Sequence, residues 1–296
     1  MPVRPGSEGL KPASSARYLL CSDLDRTLIP NGMQEESPAA RATLRALVMR
    51  AAFSVVYVTG RNRALVEAAI REHDLPWPDA VIGDVGSCIW STFDASWSKW
   101  PQWEDRLRQD WDESRRAAIF ELLHKEPGLE AQSDDRQSAL KLSFLAEVGD
   151  LPARCRRLRL LLRSKDLHAN IIGSIDEVEE VGLIDVLPPL ASKHSAIEML
   201  MSSWGFQHWN TVCAGDSGND LPFLTSALQS VLVANAEDSV RQRAVRLAAR
   251  RGQQANLYLA RGGFLGMNGY YSAGVLEGLA HYLPDIHAWI EAAAPD

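Results

Sequence analysis

Short apolar runs alternate with stretches in which apolar positions recur every three or four residues. RYLLCSDLD reads as a buried strand that runs into a polar loop, and FSVVYVTGR and DAVIGDVG repeat that form. Between the first two lies SPAARATLRALVMRAA, where Leu44, Leu47 and Val48 share one helical face, with Ser37 as the expected N-cap and Pro38 in the first turn. Strand, helix, strand, helix, strand at this spacing predicts βαβ units and a parallel sheet.

The rhythm breaks after Gly86. Five of the nine tryptophans (Trp90, Trp97, Trp100, Trp103 and Trp111) follow in one cluster. Amphipathic helical stretches come next, then the strand-like SALKLSFLAE and EEVGLIDVLP. This pattern predicts a small α+β unit over 88–187, inserted between two parts of the first domain, 17–87 and 188–296. The tryptophans are expected mainly to pack that insert. The first rhythm resumes with SKHSAIEMLMSSWGF, WNTVCAGDSGNDLPFL, SVLVANA, EDSVRQRAVRLAAR and SAGVLEGLAHYL. The basic run Arg241–Arg251 reads as a solvated helix face. Residues 1–16 lack the apolar middle of a signal peptide and are expected to form a frayed tail.

Composition narrows the possibilities without choosing among them. Hydrophobic residues at 46% and charged residues at 23% are ordinary for a soluble globular protein, and the net charge of −7 argues against nucleic acid as a partner. No stretch has the length of a membrane span. Cys21, Cys88, Cys155 and Cys213 show no zinc-site or redox spacing, so reduced thiols and a cytoplasmic location are expected.

Four segments fall at predicted strand ends or helix starts: Asp23–Thr27, Val58–Arg61, Ser192-Lys193 and Gly215–Asp220. That edge of an open parallel sheet is where ligands bind. Singly, each has a plain explanation as an Asx-turn, a cap or a surface charge. Together, in this order, they favour one crevice. Asp23 and Asp25 flank a single leucine, and unpaired carboxylates so close resist burial, which predicts a cation between them. Carboxylate and carbonyl ligands without histidine or cysteine suit a hard ion, Mg²⁺ most often when phosphate is present. A carboxylate is also a nucleophile toward phosphorus. Mg²⁺, Lys193 and helix-start amides would neutralise the charge of phosphoryl transfer, with Thr59 as a hydrogen-bond donor.

These residues resemble the four motifs of the haloacid dehalogenase superfamily: Asp23-Leu24-Asp25-Arg26-Thr27, then Thr59, Lys193, and Gly215-Asp216 through Asp220. The resemblance implies a Rossmann-like parallel-sheet core with an inserted α+β cap of the larger type. It implies Asp23 as nucleophile and Asp25 as the acid and base. It further implies metal ligation by Asp23, the Asp25 carbonyl, Asp216 and Asp220, and phosphate binding by Thr59, Gly60, Lys193 and Asn219.

Over nearly all of residues 18–282 the chain resembles the sucrose-phosphate phosphatase group, through VTGRN, VGSCIW, KLSF, DVLP ahead of SK, GDSGND and SAGVLEGLAHY. It departs from that group at Cys88, where an acid is usual, and at His194 after Lys193, where Gly is usual. The implied activity is Mg²⁺-dependent hydrolysis of sucrose 6-phosphate, by a monomer or weak oligomer that a sucrose-phosphate synthase binds. Alternatives are mannosylfructose phosphate, glucosylglycerate phosphate or a hexose phosphate as substrate, or a non-catalytic synthase-binding module. Arg61, Lys141 and Ser143 are the expected sugar contacts. For Lys141 and Ser143 the other reading is the solvent face of an alternating strand opposite Leu140, Leu142 and Phe144.

Overall fold

The structure is a computed structural model, and it describes residues 16–92, 96–176 and 179–294. The tail expected over 1–16 therefore lies, up to residue 15, outside the described residues. The chain opens with β1 (Tyr18–Ser22), α1 (Ala40–Val48), β2 (Phe53–Val58), α2 (Arg63–Glu72) and β3 (Ala80–Gly83), the alternation that the apolar pattern predicts. It continues through β4 (Cys88–Ser91), β5 (Ser98–Lys99), α3 (Pro101–Arg108), α4 (Glu113–Leu123), β6 (Leu129–Ala131), β7 (Leu142–Ala146), α5 (Leu151–Ser164), β8 (Asn170–Asp176) and β9 (Val181–Leu187). The last part comprises α6 (Lys193–Trp204), β10 (Thr211–Gly215), α7 (Leu221–Leu224), β11 (Gln229–Leu232), α8 (Asp238–Arg251), β12 (Leu257–Leu259), α9 (Ser272–Tyr282) and α10 (His287–Glu291).

Two sheets result. The larger has the order β12-β11-β10-β1-β2-β3-β4-β5, parallel from β12 to β3 and antiparallel beyond. The smaller is the antiparallel β6-β7-β9-β8, drawn wholly from residues 129–187. β4 and β5 lie inside the segment expected as the insert, yet Ile82 pairs with Ile89 and Trp90 with Lys99. The larger sheet thus extends to Lys99 before the chain leaves it.

β1 sits at the centre because it is apolar on both faces. Leu19, Cys21, Val56 and Val58 pack into one core, while Leu20, Val55 and Tyr57 pack into another on the opposite face, the two-residue period of a strand. The first core runs on into Phe144 and Ile184 of the smaller sheet. Cys21 pairs in register with Cys213, and all four cysteines are free and buried. Trp100, Trp103 and Trp111 are buried as packing. The indole N–H groups of Trp103 and Trp111 donate to the carbonyls of Gly86 (3.0 Å) and Ala139 (3.1 Å).

Helix ends follow local chemistry, with one correction. Ser192 caps α6 by accepting from the Ser195 N–H at 3.0 Å, and left-handed Gly205 closes the helix. Ser37 does not cap α1, which starts at Ala40 with no side-chain cap. The Ser37 hydroxyl instead accepts from the Asn268 N–H at 3.0 Å, tying the segment before α1 to the loop before α9. In α8, Arg243, Arg246, Arg250 and Arg251 are exposed, as expected. No helix among the described residues is long and apolar enough to cross a membrane.

α9 lies so close to the larger sheet that a Cβ on Gly278 would stand 2.0 Å from Val231 Cγ2. Gly278→Val should therefore destabilise the fold by about 1–3 kcal/mol through overpacking, lowering the calorimetric midpoint by several degrees. An unchanged midpoint would mean that α9 is free to shift.

Candidate active site

Parallel pairing delivers the acids to one place. Ser22 of β1 stands opposite Ala214 of β10, so Asp23 and Asp216 leave the same carboxyl edge just beyond their strands. The Asp23 N–H donates to Ala214 O at 2.9 Å, and on the other flank of β1, just beyond β2, the Thr59 N–H donates to Ile82 O at 2.8 Å. Lys193 is the first residue of α6 and its side chain is 1% exposed. Its ammonium donates to Asp23 Oδ1 at 2.8 Å and to Asp220 Oδ1 at 2.7 Å. The second oxygen of Asp220 accepts from the Asp216 N–H (3.1 Å), the Ser217 N–H (3.1 Å) and the Ser217 hydroxyl (3.2 Å). Asp220 thereby braces the loop that carries Asp216.

Carboxylate oxygens of buried Asp23, Asp216 and Asp220 lie within 4.8 Å of one another. Around them stand one ammonium, Lys193, and one guanidinium, Arg26, whose Nε is 3.4 Å from Asp216 Oδ2. The acids outnumber these cations by one. Burial pushes Asp23 up to about 7 despite Lys193, with the charges of Asp220 and Asp25 adding to the rise. Burial also raises Asp216 well above the usual carboxylate range, with Asp23 and Asp220 reinforcing it and Arg26 and Lys193 opposing it. Burial alone would lower Lys193, but Asp220 and Asp23 outweigh it and hold the ammonium charged. Buried oxygen ligands short of positive charge suit a hard divalent cation.

Asp25 is set apart from this trio. The chain turns at once after Leu24, whose carbonyl accepts from the N–H groups of Thr27, Leu28 and Ile29. The Asp25 carboxylate faces Arg61, which donates through Nε (2.9 Å) and a terminal nitrogen (2.6 Å), and Asn31 donates from Nδ2 at 2.8 Å. Burial pushes this carboxyl up, but the bidentate Arg61 bonds and charge, helped by Asn31, bring it below the usual value. Arg61 is thus engaged with Asp25. Thr59 is buried and its hydroxyl accepts from the Arg61 N–H at 3.1 Å, whereas Gly60 is exposed. Asn219 accepts from the Ser217 hydroxyl at 3.0 Å, within the same loop as Asp216.

Lys141 and Ser143 are not on a solvent face. They are 5% and 2% exposed, because the strand segment is buried on both sides. Lys141 Nζ lies 2.8 Å from Asp84 Oδ1, and the Ser143 hydroxyl donates to Asp185 Oδ1 at 2.6 Å. Asp84 also accepts from the Cys88 thiol at 3.7 Å. Arg26 lies inside the first motif and Asp185 inside DVLP, but neither pattern shows a role for them, and Asp84 stands directly before VGSCIW. Only Asp84, an acid just after β3 and beside that stretch, carried a positional signal. Asp84, Val85 and Gly86 all have positive φ (47°, 59° and 95°), and a Cβ on Gly86 would come within 2.2 Å of the Ser192 carbonyl carbon. This strained loop therefore abuts the start of α6, directly beside Lys193.

Comparison with known proteins agrees with this geometry. The family model described as sucrose-6F-phosphate phosphohydrolase matches residues 16–283. The Nitrosococcus oceani protein described as "Putative HAD-like hydrolase" is 48% identical over 93% of this chain and 74% of its own length. The Arabidopsis thaliana protein described as "Probable sucrose-phosphatase 3a" is 29% identical over 76% of this chain, which spans 52% of that relative's length. The crystal structure of the sucrose-phosphatase of Synechocystis sp. PCC6803, in complex with sucrose and phosphate, shares the fold with a TM-score of 0.74. It is 23% identical, and the match covers 90% of this chain and 98% of that one.

The raised acids make a pH prediction. Between the unfolded carboxylate pKa near 4 and the folded value of about 7 for Asp23, the native state holds protons that the unfolded chain has released. This contribution therefore lowers stability as pH rises through that window. In chelator-treated protein, Asp216→Asn should raise the thermal midpoint relative to wild type more at pH 8 than at pH 5. A gap that narrows as pH rises would contradict the charge surplus.

Proposed function

The chain belongs to the sucrose-6F-phosphate phosphohydrolase family, and on that premise we propose Mg²⁺-dependent hydrolysis of a phosphorylated disaccharide, with sucrose 6-phosphate the preferred substrate. Membership makes it a phosphoric monoester hydrolase of the haloacid dehalogenase superfamily. The observation that supports the Mg²⁺-dependent chemistry is the buried ammonium of Lys193 between Asp23 and Asp220, with Asp216 alongside, while the disaccharide rests on the family match. A purely structural ion pair has no need of the third buried acid.

In this reading Asp23, Asp216 and the backbone carbonyl of Asp25 hold the ion, and Asp220 supports them. The bound ion would supply charge neutralisation for the phosphoryl oxygens. An Asp23 carboxylate oxygen attacks phosphorus, and the phosphorus–oxygen bond to the sugar breaks. The departing alkoxide takes a proton from Asp25. Asp25 then removes a proton from water, whose oxygen attacks the same phosphorus, breaking the bond to Asp23 and releasing inorganic phosphate. Thr59, the amides around Gly60, Lys193 and Asn219 orient the phosphate. Arg61 holds Asp25 ionised at rest, so before the acid step the clamp opens, Arg61 turns to sugar hydroxyls and the Asp25 carboxylate takes up a proton from solvent.

The smaller sheet, β6 to β9, serves as the cap, the part of the expected insert 88–187 that leaves the larger sheet, closing over the sugar and excluding water. Lys141 and Ser143 contribute the sugar contacts from that sheet, poised by Asp84 and Asp185. Four free, buried cysteines suit a reducing cytoplasm.

Phosphate release from purified protein should require Mg²⁺, vanish with chelator and return on adding the ion. Asp23→Asn should lower kcat by at least about a thousandfold. Undiminished turnover in that variant would overturn the mechanism. Across a panel of sucrose 6-phosphate, mannosylfructose phosphate, glucosylglycerate phosphate and glucose 6-phosphate, the first should have the highest kcat/KM. Equal values for sucrose and glucose esters would refute the substrate assignment. Lys141→Met should raise KM for the disaccharide ester about tenfold while leaving hydrolysis of a small aryl phosphate nearly unchanged. A matching loss on both substrates would place Lys141 outside sugar recognition.

A further inference from the structure

One residue inside the first motif has no part in that chemistry. Arg26 has φ of 57°, a left-handed conformation that glycine or asparagine adopts more readily than a long side chain. Yet the backbone there is firmly fixed. The Arg26 N–H donates to Ile29 O (2.9 Å) and Asn31 Oδ1 (2.8 Å), and the Arg26 carbonyl accepts from Asn235 Nδ2 at 2.7 Å. Asn235 is itself buried, and its Oδ1 accepts from the Tyr271 N–H at 2.9 Å. The guanidinium donates to Asn235 O at 3.2 Å, and its Nε faces Asp216 Oδ2 at 3.4 Å. Two contacts from one buried asparagine thus aim a cation at one acid of the trio. Glycine or asparagine would meet the turn more readily, and neither would set a charge beside Asp216.

We propose that Arg26 is a resident counter-cation for Asp216, a positioning residue that neutralises part of the acid surplus in the metal-free protein and competes with a divalent ion for that carboxylate. The inference rests on the metal site proposed above. It means that the ion enters by displacing the guanidinium from Asp216 Oδ2, so affinity is lower than three unopposed carboxylates would give. Arg26 and the ion are alternative partners of one acid, which couples metal binding to the loop 24–31 through the Asn31 and Asn235 contacts.

The test is calorimetric titration of the full chain with Mg²⁺, alongside thermal midpoints with and without the ion. Arg26→Asn removes the charge but tolerates the left-handed backbone, Arg26→Gly relieves that conformation as well, and Arg26→Lys keeps a cation. The Asn and Gly variants should bind Mg²⁺ about fivefold tighter or more, while the Lys variant stays within about twofold of wild type. Metal-free Arg26→Asn should melt below wild type and gain more from added Mg²⁺. If wild type binds Mg²⁺ and neither neutral variant binds it tighter, the role of Arg26 is refuted while the metal site stands. If wild type and all variants fail to bind the ion, the metal site and this inference fall together.

Discussion

The arrangement depends on one ammonium. Lys193 is buried at the start of α6 and bridges Asp23 and Asp220 at 2.8 and 2.7 Å. Without it, three carboxylates would face one another at low dielectric with only the Arg26 guanidinium beside Asp216, an arrangement that burial makes very costly. With it, β1, the loop after β10 and α6 are drawn to one point, although the residues involved are 170 and 27 positions apart. Asp220 extends the effect, since its other oxygen holds the amides of Asp216 and Ser217. One cation thus orders the loop that presents the next acid.

That point is also where the two sheets communicate. The loop after β3 presses Gly86 against Ser192 beside Lys193, and the same loop offers Asp84 to Lys141 near the smaller sheet. Three consecutive left-handed residues are a strained way to build a connection. The strain is explained if the loop must meet two partners at once. The acid cluster and Lys141 beside the smaller sheet therefore meet one connector, the loop after β3.

Much of this was legible from residue patterns, for definite reasons. Buried parallel strands are apolar on both faces, so Tyr18–Ser22 and Phe53–Val58 declare themselves, and parallel topology forces their ends to one edge. What escaped involves partners chosen by tertiary packing. β4 and β5 are too short for any periodicity to say that they join the larger sheet. The alternation of Leu140 to Phe144 shows two faces but not that both are buried. Ser37 satisfies the rule for an N-cap, yet its hydroxyl is used 231 positions away at Asn268. The bidentate pairing of Arg61 with Asp25, and Arg26 with Asp216, depend on rotamers that spacing does not report.

The central claim is that this convergence makes Asp23 a phosphoryl acceptor. It is tested most directly by acid-quenching the protein during turnover with sucrose 6-phosphate and Mg²⁺, reducing with borohydride and sequencing the peptides by mass spectrometry. The account predicts homoserine at position 23, the product of a trapped aspartyl-phosphate, with Asp25, Asp216 and Asp220 unmodified. Turnover without modification of Asp23, or a label on another carboxylate, would contradict it.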